Sequence, residues 1–452
     1  MFSGLYSDCG FVDPVFANWN FGSIDPLQKK ASALLAFCYP ESSMLIPGSN
    51  TAHGYEALKG LLTADNLKHF LGLYNHFQNH WPMIHPSFDL LTASPGLILS
   101  MVCIGAVYSD RIGAKEGREE FWVLASIVRQ QGLLELLPTG HPNSSALHQS
   151  GAAGLGDASS WVWELWLEQE MRIRVMYLVF LIDASLTIFF NAQPQFDTYD
   201  IQLPLPADDA AWEAKTGEDC ASALGLRGDM AQMHNHAGSR RAKQLNISEV
   251  LQSLNQGRDL PHRSTNVYSK FILIHAIHMQ IFKFQRQYSN PSSLSSRANS
   301  PQSYTDGTSN GSSGPVTPID GNSAQHSQLQ GMLRSTMCAL VLWKRQWDSD
   351  MQLQYGTKQR PLGFCRDGIH YYFLAKIFLQ SSRREDWLAP PQVRFQQVFG
   401  QLKYIRTHVV TDSTSKNVDI GSVTTVDDGY GLADLTLDMK KLFTPILDTP
   451  ST

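Results

Sequence analysis

The sequence predicts an all-α fold, and three observations carry that expectation. Strand-type alternation is nearly absent, while apolar residues recur at helical spacing in one segment after another. No Gly or Pro interrupts the chain from Trp161 to Gln193, so about thirty residues form one long helix candidate that Pro194 ends. Within it, Val175 to Ile182 is apolar on every side, which places that stretch inside other protein. The expected architecture is multi-helical, with a long buried central helix and one disordered insertion.

Size and composition agree. A chain of 452 residues, 43% hydrophobic and 17% charged, can bury a large core. A net charge of -5 and a pI near 6.3 argue against a chain that binds nucleic acid by itself. The six cysteines are scattered with no C-x-x-C pair, which argues against a disulfide framework or compact zinc site and fits a reducing compartment. The N-terminus has neither a positive region nor a continuous apolar run of the secretory type, so an intracellular, soluble protein is expected.

In chain order, residues 1–60 are rich in Gly, Pro, Ser and Asn, with Phe11, Phe16, Trp19 and Phe21 interspersed. They read as a poorly ordered arm in which Leu27 to Phe37 can form a short helix. Thr63 then caps an amphipathic helix whose stripe is Leu67, Phe70, Leu71, Tyr74, Phe77 and Trp81, stopped by Pro82. In the PMIHPSFD turn that follows, His85 between prolines reads as a cap on a backbone group rather than a metal ligand. Ser94-Pro95 opens the next helix, where Ser100, Gly105 and Ala106 permit close approach by a neighbour. Glu116 to Leu137 is a further helix, and Thr139 to Ser160 reads as a loop.

The central helix offers two acid-first pairs at i,i+4, Glu168 to Arg172 and Glu170 to Arg174, with the two arginines on opposite sides. Arg172, Arg174 and Asp183 cut the apolar run to about eight residues, short of the roughly 20 a bilayer needs, so no membrane span is expected. Asp183 follows an all-apolar stretch and needs a partner, expected from another helix as a fold-fixing contact with an arginine. Asp200 to Pro206 must be extended, because each proline pushes its predecessor out of the helical region. Ala207-Asp208-Asp209 reads as the cap of a short helix carrying Trp212.

Here the chain resembles the regulatory "middle homology" domain of fungal-specific transcription factors, closest to members with Cys2His2 fingers. The matching residues are Glu170, Arg172, Arg174, Asp183, Pro194, Asp200, Leu203, Pro204, Asp209 and Trp212, with Pro82, Ile84, His85, Pro86 and Phe88 matching a second turn. The resemblance runs more weakly from about Leu62 to about Val410, and implies a helix pair before Glu116 that this sequence does not supply.

Beyond Trp212, Arg240, Arg241 and Lys243 form a weak basic cluster that reads as solvated loop. Asn266 to Tyr288 is a helix whose His275 and His278, at i,i+3, read as packed core histidines. Ser289 to Gln328 is low-complexity and expected to be disordered, with Ser300-Pro301 and Thr317-Pro318 as weak phosphorylation patterns. Helices resume at Met332 to Trp347, Gly368 to Ser381 and Gln392 to Val409. The tail from Thr411 is polar apart from LADLTLDMKKLF. The expected organisation is therefore an arm (1–60), a first part (61–288), a linker (289–328), a second part of the same domain (329–410) and a tail (411–452).

No phosphate-binding, dinucleotide, zinc-protease or nucleophile-elbow motif is present, and no sheet to present one, so no catalytic residue is assigned and an enzyme is not expected. The resemblance implies a nuclear regulatory domain that meets other transcription regulators or co-factors, and a small-molecule effector. DNA would be reached through a module not in this chain, and zinc enters only with such a finger. The alternative is a helical metabolite-binding protein or enzyme on the same fold.

Overall fold

A computed structural model describes residues 24–40, 46–78, 84–85, 88–90, 93–107, 109, 129, 132–138, 140–142, 144–149, 151, 153–226, 243–261, 264–289, 321–355, 368–380 and 389–416. Among them the regular structure is helical; the only strand-like pairing is one isolated antiparallel bridge between Pro204 and Asn246. The helices are α1 (Ile24–Cys38), α2 (Asn50–Leu61), α3 (Ala64–Gln78), α4 (Pro95–Val107), α5 (Leu155–Ser159), α6 (Trp163–Phe190), α7 (Asp209–Trp212), α8 (Gly217–Ala223), α9 (Ile247–Asn255), α10 (Val267–Ser289), α11 (Gly321–Tyr355), α12 (Gly368–Gln380) and α13 (Pro391–Lys416). A 3-10 turn spans Ala146–His148.

α6 is the axis. Every residue from Ile173 to Ala184 is buried, and each fully buried aliphatic or aromatic side chain there contributes roughly 1.5–3 kcal/mol. It packs on α4 on one side and on α10 and α13 on another; α1 and α3 back onto α4, while α11 and α12 cover α10. By length and composition α6 would also pass for a membrane span, but 78% of its most apolar window is buried in the fold, as for a core helix.

Several boundaries move. α6 stops at Phe190, three residues before Gln193, because Asn191 takes the left-handed conformation (φ 57°) and its N–H caps the carbonyls of Leu186 and Thr187. Asn is among the few residues that tolerate this. Within the arm expected over 1–60, the short helix expected over Leu27 to Phe37 is present as α1, which seats Leu27, Ala31, Leu34 and Cys38 in the common core, and an unexpected α2 starts at Asn50 with Ser49 Oγ accepting from Ala52 N. Residues 1–23 lie outside the described residues, as do Trp81, Pro82, Pro86, Arg240, Arg241 and the side chain of Phe77.

Thr63 does cap α3, accepting from Asn66 N at 3.2 Å. Gly105 of α4 meets α3 so closely that a Cβ there would lie 2.0 Å from the Phe70 carbonyl oxygen. The helix expected over Glu116–Leu137 is described only in its last part. Arg129 is helical, but the chain turns at Gly132 (φ 62°) and Leu137 is not in a helix. The loop over Thr139–Ser160 contains the 3-10 turn and α5. The expected linker over 289–328 is shorter at both ends, since α10 runs to Ser289 and α11 starts at Gly321; residues 290–320 lie outside the described residues. α13 runs on to Lys416, into the expected tail.

Candidate functional site: a buried node beneath a proline strap

The site grows from one turn of α6. Glu170 and Arg174, four residues apart, face the same way and pair at 2.8 Å between Arg174 Nε and Glu170 Oε1. Both are buried, Glu170 completely. A buried carboxylate must be paired and hydrogen-bonded to remain charged, and this one is. Ala207 N donates to Oε1 at 2.9 Å, and His148 Nε2 lies 3.2 Å from Oε2. Burial pushes the Glu170 carboxyl up, but the His148 hydrogen bond and the Arg174 charge outweigh it and hold the group below the ordinary carboxylate range. His148 comes from the 3-10 turn and stacks on Trp166 of α6, ring centroids 5.8 Å apart.

Arg174 binds the strap as well. Its Nη2 donates to Ala207 O at 2.7 Å, and its guanidinium lies 4.4 Å from the Trp212 ring and 5.6 Å from the Tyr268 ring. Asp209 Oδ1 is a looser contact at 3.9 Å on a half-exposed side chain. The strap itself runs extended from Ile201 to Asp208 because Pro204 and Pro206 bar helix, so its backbone groups need outside partners. Tyr177 Oη donates to Leu203 O (2.8 Å), Leu205 N to Leu245 O (2.9 Å), and Asn266 Nδ2 to Pro206 O and Ala207 O (3.1 and 2.8 Å). Burial and the Glu170 charge push the Tyr177 hydroxyl well up, so it stays a donor.

The other matched residues lie around the node or apart from it. His85 joins the node from outside: Nε2 contacts Ala214 O at 3.3 Å, and the ring sits edge-on to Trp212 at 5.6 Å, a backbone cap as expected from sequence. Burial pushes its pKa down. Phe88 is half-buried against the core. Arg172 points away and donates to Gly132 O (3.1 Å) and Glu135 O (2.6 Å). Of the two pairs the spacing offers, Glu168 to Arg172 acts only through its charge, and the hydrogen bonds of Arg172 go to the carbonyls around Gly132 instead. Asp200 is exposed in a turn with Asp197, not extended. Asp208 sits at the N-cap of α7 without a side-chain cap bond.

Asp183, at the far end of α6, is the main correction. Its partner is neither another helix nor an arginine but the chain just past Pro194. Gln195 N donates to both carboxylate oxygens (3.1 and 2.9 Å) and Phe196 N to Oδ2 (3.0 Å). Burial pushes the carboxyl up to about 6 against those N–H groups and the more distant charge of Arg129. Arg129 itself donates to Gln195 O and lies over the Phe196 ring.

Elsewhere, His275 binds Phe271 O at 2.9 Å and His278 binds Tyr371 O at 2.8 Å, with burial lowering their pKa values to about 4 and about 3. They are neutral core groups. Lys243 is buried against Asp157 at 2.9 Å, not solvated as the sequence suggested. Among the described residues no group of three or more His, Cys, Asp or Glu is placed to hold a metal ion. Sequence reasoning missed His148, Tyr177, Asn266 and Tyr268. Only Asn266, a helix-capping residue at the head of α10, carried a signal.

Fold and node together define a helical scaffold whose chemistry is holding: both Glu170 oxygens are occupied by protein donors, and the strap is fastened along its length. Residues 136–224, from just before the 3-10 turn through α8, match the fungal specific transcription factor domain. It is 28% identical over 103 residues to Transcription factor 1 of Elsinoe fawcettii, covering 23% of this chain and 10% of that protein. It is 22% identical over 202 residues to zinc finger protein zas1 of Schizosaccharomyces pombe, covering 35% and 22%. It is 23% identical over 202 residues to the nicotinate catabolism cluster-specific transcription factor of Emericella nidulans, covering 35% and 23%. The matched parts thus span under a quarter of each of these relatives. No solved structure matches the chain.

Proposed function

We propose that this chain is the regulatory part of a fungal transcription regulator. The observation that carries the reading is the domain match over residues 136–224, which takes in His148, Glu170, Arg174 and the whole strap to Trp212. On this reading the chain works in the nucleus, meets other transcription regulators or co-factors, responds to a small-molecule effector and catalyses no reaction. DNA is reached through a module outside this chain. The node supports a regulatory role by making α6, the strap and α10 one mechanical unit, so that a partner held by one element is felt by the others. The test joins the full chain to an unrelated DNA-binding module driving a reporter in a fungal host. Reporter output should move away from that of the module alone. Identical output from a fusion that accumulates in the nucleus would overturn the reading.

A further inference from the structure

The strap is fastened unevenly. Its middle and far end are held by buried bonds, Tyr177 Oη to Leu203 O and Arg174 Nη2 to Ala207 O, but its entry is held at the surface. The chain enters through Asp197–Asp200, a turn closed by Asp200 N on Asp197 O and by Tyr199 N on Asp197 Oδ1 at 3.1 Å. Tyr199 projects from this turn, 48% exposed, and no other described tyrosine side chain is as open. Its hydroxyl accepts from Asn255 Nδ2 of α9 at 3.2 Å and from Gln280 Nε2 of α10 at 3.4 Å. Asp197 Oδ2, two residues earlier, accepts from Lys283 of α10. These contacts tie the strap's entry to α9 and α10.

The turn suits phosphoryl transfer to that hydroxyl. Because Oη accepts from both amides, its own proton has no acceptor among the described residues, and a kinase base can take it. The segment has neither helix nor strand bonding to undo, and carboxylates flank the tyrosine, Asp197 before and Asp200 after. The neighbouring hydroxyl, Thr198, is buried and out of reach. The same surroundings are hostile to the product. Phosphotyrosine carries a charge of about -1.5 to -2, and beside carboxylates such a group disrupts by repulsion. Asp197 and Asp200 are both acidic, while Lys283 is already taken by Asp197. The attachment is also weak to begin with: Asn255 Oδ1 and Gln280 Oε1 lie buried without a hydrogen-bond partner, so neither amide is fully satisfied.

We propose that Tyr199 is a phosphorylation site, and that its modification by a protein kinase frees the entry of the strap from α9 and α10. In the transfer, Oη forms a bond to the γ-phosphorus of ATP and the bond from that phosphorus to the β,γ-bridging oxygen breaks. ADP leaves with the electron pair, and the hydroxyl proton passes to the kinase base. The node holds the strap's other end, at Ala207, and stays closed. The inference does not rest on the regulatory reading, since it is read on this chain alone and not on any transcriptional output.

Two measurements on the full chain test it. When the chain is isolated from a fungal host under phosphatase inhibition, the tryptic peptide Val175–Lys215 should carry phosphate, located at Tyr199 by fragmentation. Tyr199→Phe should abolish that signal. A peptide unmodified at Tyr199 in the parent chain would overturn the site. For the consequence, phosphotyrosine is built in at position 199 during synthesis. Amide hydrogen exchange over Thr198–Leu203 should then be about tenfold faster than in the parent, with Tyr199→Phe in between, because local opening sets the exchange rate. Exchange in the middle of α6 should not change. Exchange over Thr198–Leu203 that is unchanged or slower would mean that the phosphate is held against α9 and α10, and would overturn the release.

Discussion

Three protein groups converge on Glu170, and this is what lets a carboxylate survive at zero exposure. Removing one member of such a buried set strands the others, at a cost of about 3–5 kcal/mol. Asp183 behaves differently, because its partners are backbone N–H groups rather than a fixed cation. Its folded pKa of about 6 lies above the unfolded value of about 3.9, so the native state binds the proton more tightly. The associated stability is fully present below about pH 4 and is lost as pH rises through 6, by about 3 kcal/mol in total. Asp183→Asn keeps an oxygen acceptor but cannot titrate. The difference in unfolding free energy between parent and variant should therefore drift in the variant's favour from pH 4 to pH 7. A difference independent of pH, measured by denaturant titration, would place the titration elsewhere. Asp183→Leu leaves no buried cation but strands the two N–H groups, about 1–3 kcal/mol each.

Helices set where the node can form, and the α3–α4 crossing shows how tightly they are placed. Gly105→Ala would drive a methyl to within 2.0 Å of the Phe70 carbonyl oxygen, so the helices must part. A loss of about 1–3 kcal/mol or more is expected from such overpacking. Gly72→Ala in α3, with nothing within 4 Å, should instead gain up to about 1 kcal/mol. Equal melting temperatures for the two variants would contradict this packing. The same elements show what was legible in the sequence and what was not. Glu170–Arg174 and the extended strap follow from local spacing and proline chemistry, and the sequence shows them directly. α2 was hidden because NTAHGYEALKGL has a weak apolar stripe and two glycines, and owes its start to the Ser49 cap. His148 was hidden because nothing in a Gly/Ser/His-rich stretch reveals that a 3-10 turn delivers one imidazole to a carboxylate 22 residues away. The partners of Asp183 were invisible for a related reason: backbone amides carry no residue signature.

At the scale of the molecule, one hydrophobic core joins α1 to α13, with α6 packed on α4, α10 and α13. A net charge of -5 is the opposite of the strongly basic balance usual in chains that bind DNA by themselves. A shift assay with the purified full chain should therefore show no sequence-specific duplex binding at physiological salt, and sequence-dependent nanomolar binding would contradict that. The central claim is that α6, the strap and α10 are held together through the Glu170–Arg174 pair. A double-mutant cycle with Glu170→Gln, Arg174→Met and both together, read by denaturant unfolding of the full chain, tests it most directly. The account expects each single change to destabilise strongly and the pair to show a coupling of about 1–3 kcal/mol. Additivity within about 0.5 kcal/mol would contradict it, since the two side chains would then act as independent residues rather than as the lock on the strap.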